Sequence, residues 1–158
     1  MKFIKTTALL SLFLSFIISA CEREDQLKRI DIFSKTGIVL SGAQVVPAST
    51  TAATGTMDVS YDKRTQTLNY KVTWSQLTGS PTGIGLYGLA PKGYAVLPTA
   101  PTQVISTTGL TASGTLSGSL LADGVYIKEE DILNGLYYFM IRTTANPAGE
   151  LRAQVLFQ

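Results

Sequence analysis

The 158-residue chain contains no histidine. That removes the usual base for a serine nucleophile and the commonest nitrogen ligand for a metal. Its one cysteine, Cys21, has no second thiol with which to form a disulfide inside the chain. Charge is scarce over most of the length. Residues 37–158 hold fourteen charged side chains in 122 positions, whereas residues 22–36 hold eight in fifteen. The formal charge of +2 comes from Lys2 and Lys5, and the remaining basic and acidic side chains balance at eleven each. With no basic stripe to displace counterions, nothing points to a nucleic-acid partner. The longest apolar run, residues 8–19, is shorter than the roughly 20 residues a membrane-spanning helix needs. No sequence repeat of fixed period is present.

What is present begins with an export signal. Lys2 and Lys5 supply a basic start, residues 8–19 an apolar stretch, and Ile18-Ser19-Ala20 a small-residue approach to a cleavage site. Ile18-Ser19-Ala20-Cys21 resembles a bacterial lipobox. The resemblance implies cleavage between Ala20 and Cys21, a diacylglyceryl group on the Cys21 thiol, and usually a further acyl chain on the new amino terminus. An ordinary secreted protein that starts with cysteine is the plainer alternative. Two or more acyl chains give stable anchoring where one is marginal. Glu22-Arg23-Glu24-Asp25 resembles the surface-export signal of Bacteroidetes lipoproteins, and its composition equally suits a solvated tether. Residues 1–20 therefore read as a lipoprotein signal peptide, 21–36 as a lipidated cysteine and charged tether, and 37–158 as the folded domain. Leu27, Ile30, Ile32 and Phe33 are the tether residues able to dock part of it as a short helix or strand.

All fourteen glycines and six prolines fall in residues 37–158, between short runs rich in Val, Thr, Tyr and Leu. That pattern predicts an all-β domain, and about 120 residues suffice for a core without disulfides. A first strand is expected over 37–46. Residues 56–61 and 68–75 alternate, with Met57, Val59, Tyr61, Leu68, Tyr70, Val72 and Trp74 inward, around a polar turn at Asp62-Lys63-Arg64-Thr65. Residues 83–93 form a glycine-interrupted strand and loop where backbones approach closely. Residues 94–97 make at most a short strand, and 110–120 alternate again. Residues 128–134 carry the one helical turn, with acidic residues early and Gly135 as a stop. Residues 136–141 are apolar on both faces, which predicts a mid-sheet position. A closing strand follows the Asn146-Pro147-Ala148-Gly149 turn. Seven to nine short strands fit a two-sheet Greek-key sandwich, with a closed barrel as the alternative.

The ordered set Leu40-Ser41-Gly42-Ala43-Gln44-Val45-Val46-Pro47, Thr51-Ala52-Ala53-Thr54-Gly55, the 62–68 hairpin and Asn146-Pro147-Ala148-Gly149-Glu150-Leu151-Arg152 resembles the CHRD domain. That domain is named for chordin and common in bacterial secreted proteins. The resemblance covers residues 37–158. It implies an immunoglobulin-like or superoxide-dismutase-like sandwich with no well-established enzymatic activity. Many bacterial members carry a His-x-His-Gly stretch and a further His before the Asn-Pro turn, which would make a plausible metal site. The matching positions here are Gly85, Tyr87 and Arg142, with Gly88 kept, so no metal and no cofactor is expected.

Arg142, Glu150 and Arg152 are the polar set of greatest interest. On neighbouring antiparallel strands, Glu150 would sit between the two arginines as a surface ion-pair ladder. With Tyr87 and Tyr138 the same residues would make a binding patch, since Tyr and Arg are favoured at hot spots. Asp123-Gly124 with Glu129, Glu130 and Asp131 lacks regular calcium-ligand spacing and reads as solvated turn charge. No catalytic residue is assigned. The expected function is a lipid-anchored, non-enzymatic binding, adhesion or structural module of the cell envelope, on the outer membrane, with surface exposure following where Glu22-Arg23-Glu24-Asp25 is read as an export signal. Its partner would be an envelope protein or an extracellular ligand. The alternatives are a metal-dependent or redox enzyme on a dismutase-like sandwich, which the missing histidines disfavour, and an accessory subunit of an outer-membrane complex.

Overall fold

A computed structural model describes residues 31–96 and 101–157. The chain divides into a segment Met1–Ile30 and a domain Asp31–Gln158. The expected signal peptide, Ala20, Cys21 and most of the expected tether lie outside the described residues.

Among the described residues the domain has eight strands, β1 (Ile32–Ser41), β2 (Thr54–Asp62), β3 (Thr67–Ser75), β4 (Pro81–Tyr87), β5 (Gln103–Ser106), β6 (Gly114–Leu121), β7 (Tyr138–Thr143) and β8 (Leu151–Gln154). A single-turn helix, α1 (Glu129–Leu133), precedes β7. All pairings are antiparallel, in the order β5-β4-β7-β8-β1-β2-β3-β6. The expected all-β Greek-key arrangement is therefore present, but not as two separate sheets. One curled sheet carries two four-stranded halves, and β1 joins β8 through the single register pair Ser41↔Arg152. Among the described residues no pairing links β5 to β6, the two ends of the sheet.

Alternation decides what enters the core between the halves. Met57, Val59, Tyr61, Leu68, Val72 and Trp74 from β2 and β3 are buried against Ile84, Leu86, Phe139, Ile141, Leu151 and Ala153 from the other half. Tyr70 and Phe139 meet across the gap with ring centroids 5.0 Å apart. Each large side chain buried this way stabilises the fold by about 1.5–3 kcal/mol. Trp74 keeps its polar edge satisfied, Nε1 donating to Thr111 O at 2.9 Å. Strand β7 lies between β4 and β8 and is buried on both faces, as its unbroken apolar run predicts. Ile132 anchors α1 in the core, and Gly135, at φ 69°, ends it.

Several boundaries differ from expectation; β1 ends at Ser41 and not at 46, because a 3-10 turn over Gly42–Gln44 takes over. Gly37 does not open β1 but interrupts it. It adopts φ 68° within a register shift between Lys35 and Ile38, and its N–H donates to Asp58 Oδ1 at 2.8 Å. The strand therefore reaches back to Ile32, five residues into the charged stretch read as tether, and Phe33 packs edge-on against Phe157. Residues 94–96 form no strand, whereas 103–106 do. Strand β6 starts only at Gly114, because Thr111 Oγ1 donates to Ser113 O and turns the chain before it. Among the described residues no helix is long and apolar enough to cross a membrane.

Candidate functional site

Outward positions of β4, β7 and β8 bring four of the five residues of the expected patch into one stack. Tyr87 and Tyr138 are register partners, and their rings lie 5.5 Å apart and 13° from parallel. Gly85 lets the Tyr87 ring lie back along its own strand, since a side chain there would meet the ring at 3.1 Å and Pro101 at 2.8 Å. The Arg142 guanidinium stands 5.1 Å from the Tyr87 centroid, and that of Arg152 stands 3.6 Å from the Tyr138 centroid. Each contact joins a cation to an aromatic face.

This stack is covered. Tyr87, Tyr138 and Arg152 are 4%, 2% and 2% exposed, and only Arg142 is half-buried. The cover is the segment 88–96, which crosses the outer face as a strap. Arg152 Nη1 donates to Tyr94 O at 2.6 Å, and its Nη2 donates to Gln154 Oε1 at 2.9 Å. Gln154 Nε2 donates to Ala90 O and to Gly135 O, and Ala90 N–H donates to Leu136 O. Ala90 and Val96 complete a small second apolar cluster with Tyr87, Tyr138 and Met140. Burial raises the Tyr87 phenol, opposed by the nearby Arg142 charge, and burial lowers the Arg152 guanidinium. The planar fork of arginine suits this task, reaching two chain segments while its face rests on a ring.

Glu150 is elsewhere. The expected cross-strand ladder fails because the β7–β8 register ends at Ile141↔Leu151 and Gly149 (φ 135°) redirects the chain. Glu150 donates its N–H to Ile141 O from outside the ladder and turns its side chain inward, where it is fully buried. Its Oε1 accepts from Thr51 Oγ1 at 2.7 Å and Thr78 N–H at 2.8 Å. Its Oε2 accepts from Thr78 Oγ1 at 2.7 Å and Thr143 Oγ1 at 2.6 Å. Burial alone would raise this carboxyl; the donors of Thr143, Thr78 and Thr51 outweigh it and bring it down to about 2. Lys63 and Glu129 form an ion pair at 3.4 Å on the surface, which involves neither Arg142 nor Arg152. The five residues are thus two internal assemblies, not one exposed patch.

Asp123 and Glu129 are likewise engaged in local structure. Asp123 Oδ1 accepts N–H bonds from Val125, Tyr126 and Ile127, and those from Ile127 and Val125 lower its carboxyl most. Tyr61 donates to Glu129 Oε2 at 2.9 Å; burial and then this bond push the phenol up to about 12. Among the described residues no three of His, Cys, Asp and Glu cluster as metal ligands would. Gly85, Tyr87 and Arg142 do share the outer face of β4 and β7. A glycine, a phenol and a guanidinium that cannot give up its proton do not make a cation site.

Three of the four segments that carry the CHRD resemblance, 40–47, 51–55 and 146–152, meet at Glu150. A side chain at Gly42 would meet Ser49 O at 2.6 Å and Thr51 Cγ2 at 2.9 Å. Ser49 donates to Asn146 Oδ1, and Asn146 Nδ2 donates to Thr78 Oγ1. A family model, the CHRD domain, matches residues 36–155. The chain belongs to the CHRD family. No curated protein and no solved structure gives a match. In this CHRD domain those three segments serve packing and hydrogen bonding. Sequence reasoning missed Thr51, Thr78, Thr143 and Gln154; for Thr51 the signal was its place in a resembling segment.

Proposed function

We propose that this CHRD-domain protein is held on the cell envelope by lipid at Cys21 and works there without catalysis, as a binding, adhesion or structural module. One observation carries the anchoring: the only thiol of the chain follows Ile18-Ser19-Ala20 directly, where a lipobox requires it. The domain's hydrogen bonding supports the non-catalytic part. Glu150 accepts four bonds from within the fold, Arg152 holds the strap, and Asp123 caps a turn. The outer membrane is the proposed address, and an envelope protein or an extracellular ligand the proposed partner.

Mass spectrometry of the amino-terminal fragment from native membranes tests the anchor. A diacylglyceryl group on Cys21 is expected, and Cys21→Ser should move the protein out of the membrane fraction with its melting temperature unchanged. An unmodified thiol would end the reading. Elemental analysis of the purified protein tests the other half, since stoichiometric copper, zinc or manganese would replace the non-catalytic reading with an enzymatic one.

A further inference from the structure

The sheet has two ends, finished differently. Strand β5 is four residues long, shifts register against β4 between Ile84 and Gly85, and follows Pro98 and Pro101. Short length, irregularity and nearby proline are the usual ways of blunting an edge. Strand β6 has none of them. Its eight residues pair with β3 without a shift, from Gly114↔Trp74 to Leu121↔Thr67, and carry neither charge nor proline. Among the described residues no strand lies beyond it. Ser117, Gly118 and Ser119 are exposed, as is Leu121 at 61%. Half of the N–H and C=O groups of such a strand point away from its single neighbour, and they form a template for another strand.

The edge sequence specifies which strand. Leu116-Ser117-Gly118-Ser119-Leu120 reads the same in both directions. Antiparallel pairing of two copies about a two-fold axis at Gly118 sets Ser117 against Ser119 and Leu116 against Leu120. Because side chains alternate, serines meet serines on the solvent face and leucines meet leucines on the core side. Leu116 and Leu120 already pack against the core, so the pairing extends one apolar layer into the next. No charges meet. A foreign strand would gain the same main-chain bonds without this matching. We propose that two copies of the chain join edge to edge through β6, as an isologous dimer with one sheet running through both. The inference is independent of the anchoring and of the non-catalytic reading.

Sedimentation velocity of the full chain in detergent, over a concentration series, tests it beside the variant Ser117→Lys/Ser119→Lys. In the dimer those lysines would face one another in both serine pairs. Both proteins carry the same amino-terminal segment, so association driven by that segment is common to both. The native chain should dimerise reversibly and the variant at least about tenfold more weakly, with matching thermal melts. A native chain that stays monomeric, or a variant that dimerises equally well, overturns the proposal. Should the variant fail to fold, mixed Ser117→Cys and Ser119→Cys chains decide. Opposed positions lie within disulfide reach, so the mixture should cross-link as a heterodimer more readily than either chain alone. No such preference would also overturn the proposal.

Discussion

The two halves of the sheet share an inner core and have unlike outer faces. Outside β2, β3 and β6, alternate positions carry Thr56, Ser60, Asn69, Lys71, Thr73 and Thr115. Some of these hydroxyls bond each other, as Thr73 does Thr115 at 3.1 Å. Outside β4, β7 and β8, the same alternation carries Tyr87, Tyr138, Met140, Arg152 and Gln154, closed over by residues 88–96. One half is a sheet with a solvated face, the other a sheet covered on both sides. Tyr and Arg on a strand are thus as much a sign of a covered face as of a binding surface. What separates the two is whether another chain segment offers carbonyls to the guanidinium.

The largest break in this contrast should come from Arg152→Ala. It removes charge-assisted bonds to the strap and a ring contact together, and should lower stability by about 3 kcal/mol in urea unfolding. Arg152→Lys should recover only part, because an ammonium cannot fork between two segments. Amides of residues 88–96 should exchange faster in both variants.

Acid comes next. The Glu150 carboxyl sits at about 2 in the folded chain against an ordinary value of 4.5. A depressed folded value means stability fully present above the unfolded value and lost as pH falls from about 4.5 through 2. That loss should be on the order of 3 kcal/mol. Glu150→Gln should flatten this acid limb while destabilising the protein at neutral pH, where an amide donor would confront donors from three threonines. An unchanged acid limb in the variant would mean that the carboxylate is not what titrates.

The smallest effect is expected on the open face. Lys71→Thr, exposed and outside any covered cluster, should stay within about ±0.5 kcal/mol of the native protein. A loss matching that of Arg152→Ala would erase the distinction between the faces.

Much of the fold was legible where period two runs unbroken. Strands β2, β3 and β7 and the turn at α1 lie where alternation, a double-sided apolar run and early acidic residues place them. Glycine misled at two points, for one reason. Gly37 was read as a boundary and is a bulge; Gly149 reads as a simple turn residue, yet it redirects Glu150 from the Arg152 face to the threonines. Counting by twos cannot register a residue that leaves the ladder. The strap was invisible because residues 88–96 have no periodicity, and their place is set by Arg152 and Gln154 some sixty residues later.

Strand β1 has a mechanical consequence. The chain enters the domain through a strand held to β2 by eight register pairs and joined to β8 at its far end, at Ser41. Tension arriving through the residues before Asp31 must slide this strand past its neighbour, loading many bonds at once, or peel it from the middle of the sheet. A domain pulled by its leading end is thus gripped chiefly by the ladder between its first two strands.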